Sequence, residues 1–145
     1  MLAVYEFELF EDGEVTVAVP FGLEGGTQGA GYADACAMAA EWLKGEAEHR
    51  MMTGQSLPEP SFGNDPEHGG RVAIVAVDAD PGTVPTVAAS EAAEMLGVSR
   101  PRISQMLASG LLEGYRKGGG TFVTVASVEA RLAEAPKAGR PKALR

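Results

Sequence analysis

Ala89-Ser-Glu-Ala-Ala-Glu-Met-Leu-Gly-Val-Ser-Arg-Pro-Arg-Ile-Ser-Gln-Met-Leu-Ala-Ser-Gly110 reads as two short helices joined at Gly97. Ala92, Ala93 and Leu96 recur at helical spacing and form the inner face of the first, and Val98, Ile103, Met106 and Leu107 form that of the second. Gly97 supplies the positive φ of a sharp turn, and the small Ala93 lets two steeply crossed helices approach. Ser99 is placed as N-cap of the second helix. Pro101 falls in its first turn, where the missing N–H has no intrahelical partner to lose, and Gly110 stands at the C′ position. A plain corner of two helices would show the same apolar pattern, but it has no need of Arg100, Arg102 and Gln105 on the opposite face.

These residues resemble the helix-turn-helix of bacterial repressors. The continuation, Leu111-Leu-Glu-Gly-Tyr-Arg-Lys-Gly-Gly-Gly-Thr-Phe-Val-Thr-Val125, resembles the winged variant of the excisionase or MerR kind: two short strands around a Lys-Gly-Gly-Gly tip, then a helix near Ser127–Ala135. The resemblance implies a second helix entering the major groove amino end first, with Arg100, Ser104 and Gln105 toward the bases and Ser99 among the DNA-binding residues at its start. Arg102 is expected at phosphate, and Arg116 and Lys117 of the wing at the neighbouring backbone. The last residues, 136–145, read as a flexible basic tail. Its Gly139-Arg140-Pro141 resembles the core of an AT-hook, which would add Arg140 to the DNA contacts, although the Arg that precedes that core is Ala138 here. A merely solubilising tail is the competing reading.

A net charge of −8 over 145 residues argues against nucleic acid only if the charge is spread evenly. It is not. Residues 1–85 carry 3 Lys and Arg against 15 Asp and Glu, a net of −12, while residues 86–145 carry 9 against 5, a net of +4. The halves therefore suit different partners. Their boundary coincides with Asp78-Ala-Asp-Pro-Gly-Thr-Val-Pro85, whose prolines and glycine interrupt periodic structure. The expected organisation is a first domain over 1–77, a linker over 78–85, a winged helix-turn-helix over 86–135 and the tail.

In the first domain Ala3, Tyr5, Phe7 and Leu9 alternate with Val4, Glu6, Glu8 and Phe10, and Val15, Val17 and Val19 alternate with Glu14, Thr16 and Ala18. This predicts two strands, each with one wet face, joined through the Asp-Gly of Glu11-Asp12-Gly13-Glu14. A glycine-rich loop with a short strand near Thr27-Gln28 follows. Tyr32, Ala35, Cys36, Ala39, Trp42 and Leu43 then keep helical spacing up to a stop at Gly54. Residues 54–70 read as a polar loop, and the near-continuous apolar run Arg71–Val77 as a strand covered on both faces. The order is β-β-β-α-β, and the fold class is α+β.

Functional groups are sparse in this domain. One cysteine, Cys36, and two distant histidines, His49 and His68, offer no disulfide and no zinc-ligand spacing, so no metal and no cofactor are expected. Cys36 and Trp42 read as core. Glu6, Glu8 and Glu14 read as a solvated strand face in preference to a carboxylate pair or a Mg²⁺ site. With no ordered acid set and no histidine beside them, the chain is not expected to be an enzyme. Mean hydropathy is −0.03 and the longest apolar run, Val72–Val77, is far short of the roughly 20 residues of a membrane span. No signal peptide is evident at the amino terminus, so a cytoplasmic location is expected, on the nucleoid when bound to an operator.

The order and spacing of Asp12-Gly13, Val15-Thr-Val-Ala-Val-Pro20, Thr27-Gln28-Gly29, the helix through Ala35–Leu43 and Gly54-Gln-Ser-Leu-Pro-Glu-Pro-Ser61 resemble the HicB antitoxin family over about residues 3–77. Two places depart from it: the family's acidic-Leu-Pro-Gly loop is Phe21-Gly22-Leu23-Glu24-Gly25 here, and its polar cap before the helix is Gly31. The resemblance implies a degenerate RNase H-like module of β-α-β plan that does no chemistry and covers a small basic ribonuclease toxin of the HicA type. Charge places the toxin contacts on Glu6, Glu8 and Glu14 of the hairpin and on Glu24, Thr27 and Gln28 of the glycine-rich loop. The expected protein is an antitoxin that also represses its own operon, as a homodimer or higher homo-oligomer on operator DNA. The alternative is a stand-alone transcription regulator whose first domain dimerises or senses a ligand.

Overall fold

A computed structural model describes the backbone of residues 1–143 and the side chains of residues 1–134. The chain divides into two compact units, Met1–Pro81 and Gly82–Arg145, at a point inside the 78–85 segment. Each is a mixed α and β body built on its own antiparallel sheet.

The first unit contains strands β1 (Leu2–Asp12), β2 (Val15–Pro20) and β3 (Thr27–Gly29), helix α1 (Tyr32–Thr53) and strand β4 (Arg71–Asp78), with sheet order β3-β2-β1-β4. The two-residue alternation of β1 sends Ala3, Tyr5, Phe7 and Leu9 to one face, where none is more than 3% exposed. The helical alternation of α1 answers with Ala35, Ala39, Leu43 and Ala47, all fully buried, and the three alanines keep the helix close to the strands. Trp42 flanks this seam, its ring edge-on to Phe7 at 6.0 Å and 85°. Burial of Phe7, Leu9 and Leu43 contributes on the order of 2 kcal/mol each. Gly54, at φ 75°, closes the helix, its N–H donating to the Arg50 carbonyl.

Four expectations for this unit are corrected. The hairpin turn lies one residue further on: Asp12 still pairs with Val15, and Gly13 and Glu14 form the loop. Gly13 alone has positive φ, 67°, the requirement of a turn with glycine at its first central position. The β-α-β plan is not a parallel crossover. β4 runs antiparallel to β1, because residues 54–70 lead the chain from the end of α1 to the opposite end of the sheet. β4 is not covered on both faces either: it is an edge strand, and Ile74 on its outer side is 63% exposed. Glu6 and Glu8, expected on a solvated face, are 6% and 2% exposed. The ends of the unit meet. Met1 and Ala79 exchange backbone hydrogen bonds, the Met1 ammonium donating to the Ala79 carbonyl at 2.8 Å and the Ala79 N–H to the Met1 carbonyl at 2.7 Å. The carboxylate of Glu48, buried on α1, takes the next backbone N–H, that of Asp80, at 3.0 Å.

A short 3₁₀ turn (Pro81–Thr83) spans the division, and the second unit continues through strand β5 (Thr86–Ala88), helices α2 (Ala89–Leu96) and α3 (Arg100–Ser109), strands β6 (Gly114–Lys117) and β7 (Gly120–Thr124), to helix α4 (Val125–Ala143). The expected inner residues Ala92, Ala93, Ile103 and Met106 are buried, and Leu112, Val123 and Val128 complete the core. The wing has a third strand beyond the expected two: β5 pairs with β7 through Thr86–Thr124, Val87–Val123 and Ala88–Phe122. α4 starts earlier than Ser127 and runs past Ala135. Ser127 ties its first turn to the wing, its hydroxyl receiving the Glu113 N–H at 3.2 Å.

Candidate nucleic-acid interface and acidic clamp

Local rules account for the geometry between α2 and α3. Gly97 takes the left-handed conformation, φ 68°, that ends α2. Ser99 then caps α3: its backbone is extended, and its hydroxyl accepts the N–H of Arg102 at 3.2 Å. With Ile103 and Met106 turned inward, the opposite face of α3 presents Arg100, Arg102, Ser104 and Gln105, all exposed. Arg102 donates to the Gln105 side-chain oxygen at 3.4 Å, which aligns the two along one ridge.

The wing is held by the β6–β7 ladder, with Tyr115 and Phe122 in tilted ring contact at 5.8 Å. Its tip, Gly118 and Gly119, has positive φ at both residues. Arg116 and Lys117 are exposed on the strand leading to that tip. Arg100 from the start of α3 and Arg116 from the wing line one cleft of about 290 Å³, together with Ser90, Gly119 and Thr121. Residues 16 apart in sequence thereby border one space, and the two positive charges they carry suit a phosphate. The expected DNA-contact residues Ser99, Arg100, Arg102, Ser104, Gln105, Arg116 and Lys117 thus share the helix-and-wing region of this unit. The side chain of Arg140 lies outside the described residues.

The residues expected to meet a toxin are not brought together. Glu14 is exposed at the hairpin tip, Glu24 is exposed in the glycine-rich loop, and Thr27 and Gln28 lie on β3, at the sheet edge away from β4. Glu6 and Glu8 point instead into the 61–70 loop. Glu6 accepts the backbone N–H groups of Gly63 at 2.9 Å and Asn64 at 3.0 Å, and the Asn64 side-chain amide at 2.9 Å. Glu8 accepts the N–H groups of Glu67, His68 and Gly70 at 2.7, 2.8 and 2.9 Å, and pairs with the His68 ring at 3.1 Å. The His68 ring also stacks on Phe10, 4.3 Å away. A further anchor is the Tyr5 hydroxyl, which donates to the Pro58 carbonyl.

These donors set the ionisation of both acids. Burial opposes charge on Glu8, but the N–H groups of Glu67, Gly70 and His68 and the His68 ring outweigh it and hold the carboxyl at about 2. The N–H groups of Gly63 and Asn64 lower that of Glu6 in the same way. Both carboxylates are ionised at neutral pH and spent on the loop. Alternation reveals two strand faces without saying what covers the second, so the clamp is not legible in the periodicity of β1. One signal was present: Ser61-Phe-Gly-Asn-Asp-Pro-Glu-His-Gly-Gly70 offers a dense set of backbone donors with no periodic structure to satisfy them.

Among the described residues no group of three His, Cys, Asp or Glu could hold a metal ion, and no helix is long and apolar enough to cross a membrane. Residues 89–136, which include α2 and α3, match the family model of a helix-turn-helix domain. No curated protein matches the chain. A solved structure of a toxin–antitoxin complex from Streptococcus pneumoniae is similar over 77% of this chain and 97% of that one, at 20% identity and a TM-score of 0.48.

Proposed function

We propose that the chain is an antitoxin that binds and neutralises a small basic ribonuclease of the HicA type and represses its own operon through the second unit. The observation that carries this reading is the division of charge along the domain boundary, −12 before residue 86 and +4 after it, with the helix-turn-helix on the basic side. An acidic body accelerates encounter with a basic nuclease and competes with RNA for the same cationic surface. The HicB-like order of motifs over residues 3–77 supports the same partner. In this reading the first unit does no chemistry, in keeping with the engagement of Glu6 and Glu8 by backbone donors.

On the DNA side, α3 enters the major groove with its amino end leading. Arg100 is suited to bidentate contact with guanine and Gln105 with adenine, with Ser104 between them. Arg102, Arg116 and Lys117 face phosphates, with Arg100 of the recognition helix and Arg116 of the wing bordering the same cleft. One such module reads few base pairs, so a dimer on half-sites about 34 Å apart is the expected binding form.

The test is whether a small basic reading frame flanks this one and whether co-expression with this chain relieves its toxicity. Rescue of growth, together with a protected operator upstream of the pair, is the expected result. Operator binding without any toxic neighbour would favour a stand-alone regulator instead.

A further inference from the structure

We infer that the first unit meets its basic protein partner through the outer face of β4 and the clamped 61–70 loop, with Phe62 and Ile74 as apolar anchors. This rests on the antitoxin reading and moves its contact surface away from the hairpin tip and β3.

Three observations carry it. Phe62 is 55% exposed and Ile74 63% exposed, and both border the same buried group. Glu6 is the cross-strand neighbour of Ile74, and the Glu6 carboxylate holds the N–H of Gly63, the residue that follows Phe62. Phe62 is therefore a large apolar side chain on a loop whose backbone is already fixed. Binding then has to order the Phe62 side chain but not the backbone that carries it, a condition that favours an aromatic anchor. The rim is acidic: Asp65 and Glu67 are exposed on the same loop, and Asp78 ends β4. An apolar centre with a charged rim is the anatomy of a protein interface.

The charge selects the occupant. A second copy would bring another −12 unit against the same acidic rim, whereas a cationic protein gains from it. The hydrogen-bonding edge of β4 is unpaired among the described residues and lies beside Ile74, so a strand of the partner could extend the sheet there.

The experiment uses the full chain and, as probe, a purified small basic ribonuclease of the HicA type made inactive by substitution, with binding measured by calorimetry at 0.1 and 0.5 M NaCl. Phe62→Ser with Ile74→Ser is expected to weaken binding by about 30-fold or more at both salt concentrations, as the loss of central anchors does. Asp65→Lys with Glu67→Lys should weaken it at low salt, with the loss fading at high salt. Glu14→Lys with Glu24→Lys should change affinity less than threefold at 0.5 M. Unchanged Trp42 fluorescence and operator binding would establish that each variant is folded. If the wild-type chain binds the probe and the Phe62/Ile74 variant binds it equally well, this surface is wrong while the antitoxin reading stands. If that variant only turns a dimer into a monomer, the face belongs to self-association and the inference is overturned. If the wild-type chain does not bind the probe, both readings fall.

Discussion

Glu8 and His68 are joined twice, through the His68 backbone N–H at 2.8 Å and the ring Nδ1 at 3.1 Å, so that one buried carboxylate fixes both the main chain and the side chain of the residue that crosses it. Glu67 and Gly70 donate to the same carboxylate. It has a pH signature. A carboxyl held at about 2 in the folded chain titrates near 4.3 when unfolded, so its stabilisation is complete above about pH 5 and is lost as pH falls toward 2. Urea unfolding followed by Trp42, the single tryptophan, should show a midpoint that drops across that window. Glu8→Gln should flatten the drop and lower stability at pH 7 by about 2 kcal/mol, since an amide cannot accept all of these donors. A pH-independent midpoint in the wild-type chain would contradict the clamp.

Ser99 has two assignments that substitution separates. As a cap, its loss in Ser99→Ala should destabilise the second unit by about 1 kcal/mol, and Ser99→Asp should restore most of that. As a group facing DNA, Ser99→Asp should weaken operator binding, because it places a negative charge toward phosphate. Thermal melts and gel shifts on the same two variants read the two roles independently.

Arg100 and Arg116 share a cleft yet should differ in what they do. Arg100→Ala is expected to cost about 1–3 kcal/mol at one operator position and to relax preference there. Arg116→Ala should weaken all sequences alike and reduce the slope of affinity against salt by about one ion. Binding to an operator library at several salt concentrations checks both. Equal effects on preference would remove Arg100 from the bases.

Gly114 begins the wing where a Cβ would lie 2.2 Å from the Phe122 carbonyl oxygen. Gly114→Ala must push the two strands apart, at a cost of about 1–3 kcal/mol. Weakened operator binding and a lowered melting temperature of the second unit should appear together. A variant that melts as the wild type would mean that the wing is not built on this contact.

Periodicity made much of the molecule legible. The two-residue alternation of β1 and the helical spacing of α1 name the core that forms, and the pattern from Ala92 to Leu107 names both helix faces. Gly97 and Ser99 could be placed because their roles are set within a few residues. What stayed hidden depends on segments distant in sequence. Glu6 and Glu8 look like any wet strand face until a loop 57 to 62 residues later supplies their donors. The apolar run of β4 reads as a central strand, but the path of the preceding loop sends it to an edge and reverses it. The three residues of β5 are too few to carry a period, and only their pairing with β7 reveals them. At the candidate site, the nearness of Arg100 to Arg116 follows from how the wing folds back, which spacing alone does not encode.

The joining of Met1 to Ala79 means that the first unit starts and finishes at one spot. A segment with that property behaves as a cassette. It can be spliced into a surface turn of an unrelated host with no stretching of either, or recut at the Gly13 hairpin after its native ends are linked. The acidic unit is thus transplantable in principle, a portable module whose attachment asks for one short tether.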